Sequence, residues 1–250
     1  SLSVLPEQIV KQINTKIFLY LLFNNIYKRI RDRLENRKSE SCWELVYGVQ
    51  TKDDLSALNA EVFHTLPNPI GRNWADPFIY KYNGQQYVFV EEIVFPSEKG
   101  RIAYFKLNEQ GCVEDHGIAL ETDYHLSYPY IFEDNGKYFM LPESSSTNAL
   151  QLYECVRFPD QWRLYKTLIN NVQAVDSSLL FYEGLWWLFT NLSLLGEPRN
   201  DDLYIFYADS LDGEWYPHKL NPVKRDVCSA RGAGKIFTQN GNIIRPSQDC

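Results

Sequence analysis

Two kinds of hydrophobic spacing divide the chain. Up to about residue 40, apolar side chains recur at Ile9, Ile13, Ile17, Tyr20, Tyr27, Ile30 and Leu34, and Pro6 with Glu7 suits a first helical turn. This spacing predicts an N-terminal amphipathic helix. Its basic last third, "YKRIRDRLENRK", favours the helix dipole and is suited to a solvated face or an anionic membrane surface. From about Trp43 the period shortens: runs of Tyr, Phe, Trp, Ile and Val alternate with Asn-Gly, Asp-Gly and Pro turns. Short β-strands joined by hairpins are expected there, with little that reads as a second helix. The resulting division is a helical linker over 1–40 and a β domain over 41–250.

The β region repeats. "ADPFIYKYNGQQYVFVEE", "SYPYIFEDNGKYFMLPES", "VDSSLLFYEGLWWLFTN" and "GAGKIFTQNGNIIRPSQD" share an anchor glycine, and Gly84, Gly136, Gly184 and Gly241 recur at intervals of 52, 48 and 57 residues. After each of the first three hairpins come two more β runs. Four strands in each unit of about fifty residues predict the blades of a β-propeller. A β-sandwich would leave the recurring glycine and its similar neighbours without a reason. Three complete blades and the inner half of a fourth fill Trp74 to Cys250, with "CWELVYGV" and "AEVFHTL" as outer strands of another. A closed ring is therefore expected to need sequence beyond Cys250, and a chain beginning with Ser reads as a fragment.

First strands of blades line the central channel. Eight positions before each anchor glycine stand Asp76, Tyr128, Asp176 and Ala233, so two carboxylates from different blades are expected to share one funnel. An aspartate beside Trp74 at the mouth of buried β structure is costly unless paired or solvated. Paired carboxylates, one ionised and one kept protonated, are what glycoside hydrolysis uses.

Composition narrows the partners. With 44% apolar and 15% aromatic residues the chain can bury a large core, and a net charge of −7 argues against nucleic acid. Cys42, Cys112, Cys155, Cys228 and Cys250 show no C-x-x-C spacing, which predicts neither a zinc site nor a disulfide framework and favours a reduced, cytoplasmic setting. His64, His116, His125 and His218 lack metal-ligand spacing. No metal or cofactor is expected. The longest apolar run, Ile17 to Phe23, is too short to span a bilayer, and "NLS" at Asn191 fits a glycosylation acceptor.

The opening "ADPFI…NG…YVFVEE" and "AVDSSLLFYEGLWWLFTN" resemble family 43 and related glycosidases, five-bladed propellers in which two aspartates and a glutamate make an inverting site. A nearer resemblance, carried by "WADPF", "LSYPYIF", "LPESS", "FPDQW", "VDSSLL" and "RGAGKIF…RPSQDC" over roughly residues 70–250, is to the propeller preceding the transferase domain of plant glucosamine inositol phosphorylceramide transferases and bacterial relatives, some joined to a formyltransferase-like domain. The glycosidase resemblance implies Asp76 as base and Asp176 as the aspartate that tunes the acid and orients substrate. Where the acid glutamate is expected, the chain reads "SARGAGKIF", with Arg231, Gly232 and Ala233. Losing a proton donor removes roughly 10² to 10⁴ in rate.

Replacement acids are sought among Glu143, Glu91, Glu92 and Asp249, which close second strands, with Glu143 foremost. Arg231 and Arg245 would hold polar or anionic groups, and Trp74, Tyr128 and Tyr130 would stack on sugar rings. The expected function is a carbohydrate-active propeller domain acting on or binding a sugar or glycolipid head group, its funnel lined by Asp76 and Asp176, with no nucleic-acid partner and no transmembrane segment. The alternatives are a non-catalytic glycan-binding or scaffold module attached to a glycosyltransferase or formyltransferase domain, and a purely structural propeller. The expected location is the cytoplasm or its membrane surface.

Overall fold

The structure, a computed structural model, describes residues 43–48, 63–108, 112–193 and 201–250. The helix expected over 1–40 lies outside them. A small sheet pairs β1 (Leu45–Tyr47) with β2 (His64–Leu66). Three antiparallel sheets follow in which sequence neighbours are sheet neighbours. The first holds β3 (Arg72–Tyr82), β4 (Gln85–Val94), β5 (Gly100–Leu107) and β6 (Val113–Leu120). The second holds β7 (Ser127–Asp134), β8 (Lys137–Glu143), β9 (Ala149–Arg157) and β10 (Gln161–Asn170). The third holds β11 (Gln173–Tyr182), β12 (Leu185–Ser193) and β13 (Asp202–Ala208), with short β14 (Tyr216–Pro217) and β15 (Lys224–Arg225) on the far edge of β13. A last hairpin joins β16 (Phe237–Gln239) to β17 (Asn242–Ile244).

The anchor glycines close the inner hairpins. Asn83–Gly84, Asn135–Gly136, Glu183–Gly184 and Asn240–Gly241 all have positive φ at both residues, between 47° and 80°. Two left-handed residues in a two-residue loop make the turn whose twist matches the strands it joins. A Cβ on any of these glycines would meet nothing within 4 Å. Glycine is there for its φ and not for want of space.

Packing layers sit between successive sheets. Leu45, Leu66, Val90 and Phe105 fill the space between β1–β2 and the first sheet. Phe89, Ile102, Ile131 and Met140 fill that between the first and second sheets. Phe132, Phe139, Leu152, Trp186 and Leu188 join the second to the third, and Trp187, Ile205, Ile236 and Ile243 join the third to the last hairpin. Each complete sheet is thus covered on both faces, which explains why the middle strands are continuously apolar.

In all three complete sheets the inner ladder breaks at one place. The register shifts between Ala75 and Phe78, between Ser127 and Tyr130, and between Val175 and Ser178. The first bulged residues are Asp76, Tyr128 and Asp176, with φ of 49°, 46° and 48°. Left-handed backbone at a non-glycine residue costs on the order of 1–3 kcal/mol and persists where the surroundings over-determine it. Bulges re-aim side chains out of the strand's alternation.

Candidate functional site

The three bulges bring their side chains together. Tyr128 N–H donates to Asp76 Oδ2 at 3.3 Å, and the Asp176 charge reaches both Asp76 and Tyr128. The Tyr128 phenol runs past Ser178 Oγ, 3.4 Å away, to the last repeat, where its oxygen accepts the Gly234 N–H at 2.7 Å and its hydroxyl donates to Gly234 O at 3.3 Å. One side chain of the second sheet therefore links to the third sheet and the fourth repeat.

Second strands supply the next group. Glu91 faces Ala75, Glu143 faces Ser127, and Asn191 faces Val175 across their ladders. Glu91 and Glu143 join the cluster, and each raises the proton affinity of Asp76. Asn191 is fully buried and donates its amide to Asp202 O at 2.8 Å, so a glycan cannot reach it in the folded chain. In the fourth repeat Gln248 Nε2 donates to Asp176 Oδ2 at 3.0 Å and to Gly232 O at 2.7 Å. Glu91, Glu143, Asn191 and Gln248 all stand seven positions after an anchor glycine, and that count was the available signal for Gln248.

Cations are shared unevenly. Arg231 Nε donates to Asp176 Oδ2 at 2.5 Å, and His125 Nε2 lies 3.1 Å from Glu91 Oε1. His125 Nδ1 accepts the Gly100 N–H at 2.9 Å, and the Glu91 carboxylate raises the imidazole pKa. Asp76 and Glu143 have no cation within ion-pair distance among the described residues. Burial, then Asp176, Glu91 and Glu143, raise the Asp76 pKa well above its ordinary value. Glu143 accepts from Ser145 Oγ at 3.2 Å, and burial with the Asp176 charge pushes it up to about 7 against the pull of Arg231. Burial also raises Asp176, opposed by Arg231 and Gln248.

Several expectations need correction. At Asp76 burial and the neighbouring carboxyls favour the protonated form, whereas the base implied by the glycosidase resemblance acts in its ionised form. Glu143, near 7, has the affinity suited to passing a proton at neutral pH. Trp74 is 1% exposed, stacks on Phe105 with centroids 4.7 Å apart and donates its indole N–H to Glu92 at 3.0 Å. It is core and cannot stack on a sugar. Glu92 is 0% exposed and accepts from Arg72, Arg101, Trp74 and His116, so it ties the first sheet together. Tyr130 is buried, its hydroxyl on Leu179 O, and Tyr128 is equally enclosed. Asp249 is exposed beside Gln248. Arg245 is buried behind residues 229–234.

Residues 229–234, "SARGAG", form a strap tied down at each end and in the middle. Arg245 Nη2 holds Ser229 O and Ala230 O, Gln248 holds Gly232 O, and Tyr128 holds Gly234. A Cβ on Gly232 would lie 2.7 Å from Asp176 O and 3.1 Å from the Tyr128 hydroxyl. Gly232→Ala is expected to push the strap off Asp176 and lower stability by about 1–3 kcal/mol. Chemical denaturation measures it; an unchanged midpoint would show that the strap yields without cost.

Residues 58–250 match the family described as glucosamine inositolphosphorylceramide transferase 1, N-terminal. The chain belongs to that family. Glucosamine inositolphosphorylceramide transferase 1 of Oryza sativa subsp. japonica is 39% identical over 180 residues, covering 70% of this chain and 24% of the relative. The Arabidopsis thaliana protein of that name is 38% identical over 181 residues, 70% of this chain and 23% of the relative. The chain spans about a quarter of the length of the curated relatives it matches.

The fold of this glucosamine inositolphosphorylceramide transferase 1 N-terminal family member is also that of propeller glycosidases. Zg3597, a family 117 glycoside hydrolase of Zobellia galactanivorans, superposes with a TM-score of 0.53 at 14% identity, over 62% of this chain and 58% of that one. The exo-beta-1,3-galactanase of Phanerochaete chrysosporium does so with a TM-score of 0.52 at 12% identity, over 70% and 42%. At such identities the fold is what they share. Among the described residues no helix is long and apolar enough to cross a membrane, and no group of three His, Cys, Asp or Glu side chains is arranged to hold a metal.

Proposed function

We propose that this domain binds the sugar portion of a glycolipid head group at the cluster of Asp76, Glu143, Asp176 and Arg231. One observation carries the reading: Arg231 and Gln248 occupy the Asp176 carboxylate, while burial and three neighbouring carboxyls favour the protonated form of Asp76. Such a site offers a carboxyl that favours its O–H form, carboxylate acceptors and a guanidinium to sugar hydroxyls. The names of its relatives contain glucosamine and inositolphosphorylceramide, and a head group of that kind is the ligand proposed here. The domain would present it to a transferase segment elsewhere in a longer protein, in the cytoplasm or at its membrane surface, from a propeller closed at five blades. A formyltransferase partner is the lesser version of the same arrangement.

A second reading is favoured by Glu143 alone. With a pKa of about 7 it could donate a proton to a leaving group, making the domain catalytic. Calorimetric titration with glucosamine, N-acetylglucosamine and inositol tests both readings. Binding to one of them is expected, with Glu143→Gln about tenfold weaker, the loss of one charge-assisted hydrogen bond of about 1.5 kcal/mol, and no cleavage of aryl glycosides. Wild-type cleavage abolished by Glu143→Gln would establish the second reading, and absence of any binding would overturn the first.

A further inference from the structure

Arg245 occupies a position that is apolar in the other repeats. Four residues after their anchor glycines the three complete sheets carry Val88, Met140 and Leu188, at most 3% exposed, and the fourth repeat places Arg245 there, also 3% exposed. Its Nη2 donates to Ser229 O at 2.6 Å and Ala230 O at 2.9 Å, while its buried Nε finds no partner. No carboxylate among the described residues comes within ion-pair distance of it. Arg72 and Arg101, by contrast, share Glu92, and Arg231 has Asp176. The ionisable group that faces Arg245 is the Tyr128 phenol, which burial keeps protonated and therefore without the negative charge that would balance the guanidinium.

A buried guanidinium without a counter-charge is costly, and two carbonyl dipoles offset only part of that cost. Burial draws its pKa down to about 10, which still leaves it charged at neutral pH. Packing does not require it, because a Val, a Met and a Leu fill the equivalent place elsewhere in this chain. Its remaining donors, the Nε–H and those of Nη1, suit an oxyanion, which guanidinium groups bind by directed N–H bonds. The chain leading into the strap, Val227 to Ser229, is exposed or half-buried, and Ser229 O is one of the two carbonyls that Arg245 holds.

We propose that Arg245 is the floor of a small oxyanion site behind the strap, taking a phosphate or sulfate group through its Nε–H. The inference stands apart from the sugar reading, since it uses none of the carboxyls assigned to the sugar. Thermal melts of the full chain at constant ionic strength test it, with chloride exchanged for phosphate, sulfate or glycerol phosphate. The wild type is expected to melt several degrees higher in the oxyanions, and a response to glycerol phosphate but not inorganic phosphate would assign the group to an ester. Arg245→Met, the residue of the second sheet, is expected to melt above wild type in chloride and to be indifferent to phosphate. Wild-type indifference, or an Arg245→Met variant that responds as wild type does, would overturn the proposal. Should the Met variant fail to fold, Arg245→Lys keeps the charge without the directed fork and is expected to bind phosphate about tenfold more weakly by calorimetry. Equal affinity would count against the site.

Discussion

Glu92→Ala is expected to cost this domain about 3–5 kcal/mol, the loss seen when one partner of a buried ion pair is removed and the other left behind. The carboxylate receives both Arg72 and Arg101, the Trp74 indole and His116, all at 2.8–3.1 Å. Without it two guanidinium groups and an indole N–H lose their acceptor inside the first sheet. Against the penalty of burial, these donors hold the Glu92 pKa at about 2, from an ordinary 4.5. A depressed folded pKa gives stability that is complete above about pH 4.5 and is lost as pH falls toward 2. The difference between 4.5 and about 2 corresponds to roughly 3 kcal/mol. Denaturant midpoints at pH 7 and pH 3 measure both effects. A loss below about 1 kcal/mol at pH 7 would mean that the arginines find water as good a partner.

Glu143→Gln should do the opposite to stability. A carboxyl raised from 4.5 to about 7 is favoured by the fold in its protonated form, so the wild type loses stability as pH rises from about 4.5 through 7. The full shift is worth about 3 kcal/mol, an upper bound because the side chain is only partly buried. Gln is neutral throughout. The variant is therefore expected to match wild type at pH 4, to exceed it by as much as about 3 kcal/mol at pH 8, and to show a flatter profile between. A variant with the wild-type slope would show that Glu143 ionises at no cost. If ligand binding falls as stability rises, the strain at this position serves the site.

The hairpins were legible because their cause is local: two left-handed residues at Asn-Gly turns leave a mark in sequence, as does a strand covered on both faces. Asp76, Tyr128 and Asp176 were legible from the repeat, by counting back from the glycines. Second strands were legible only to within a residue: Glu91 and Glu92 both stood among the candidates, and Asp249 stood where Gln248 reaches Asp176. Adjacent strand residues point to opposite faces, and two glutamates in succession give no sign of which faces the cluster. The bulges that decide it occur at Asp and Tyr, residue types that do not announce positive φ. Trp74 and Glu92 looked like a sugar platform with its acid, and they form a core contact made of the same residue types. The raised proton affinity of Asp76 was beyond reach, since it depends on the fields of carboxyls from three sheets that meet only in the fold.

The Tyr128 phenol, held at Gly234 by two hydrogen bonds, bolts the second sheet to the fourth repeat. Because the same residue's backbone N–H holds Asp76, a strain that lifts the strap is felt at the first sheet as well, and the four repeats answer to one another through a single residue.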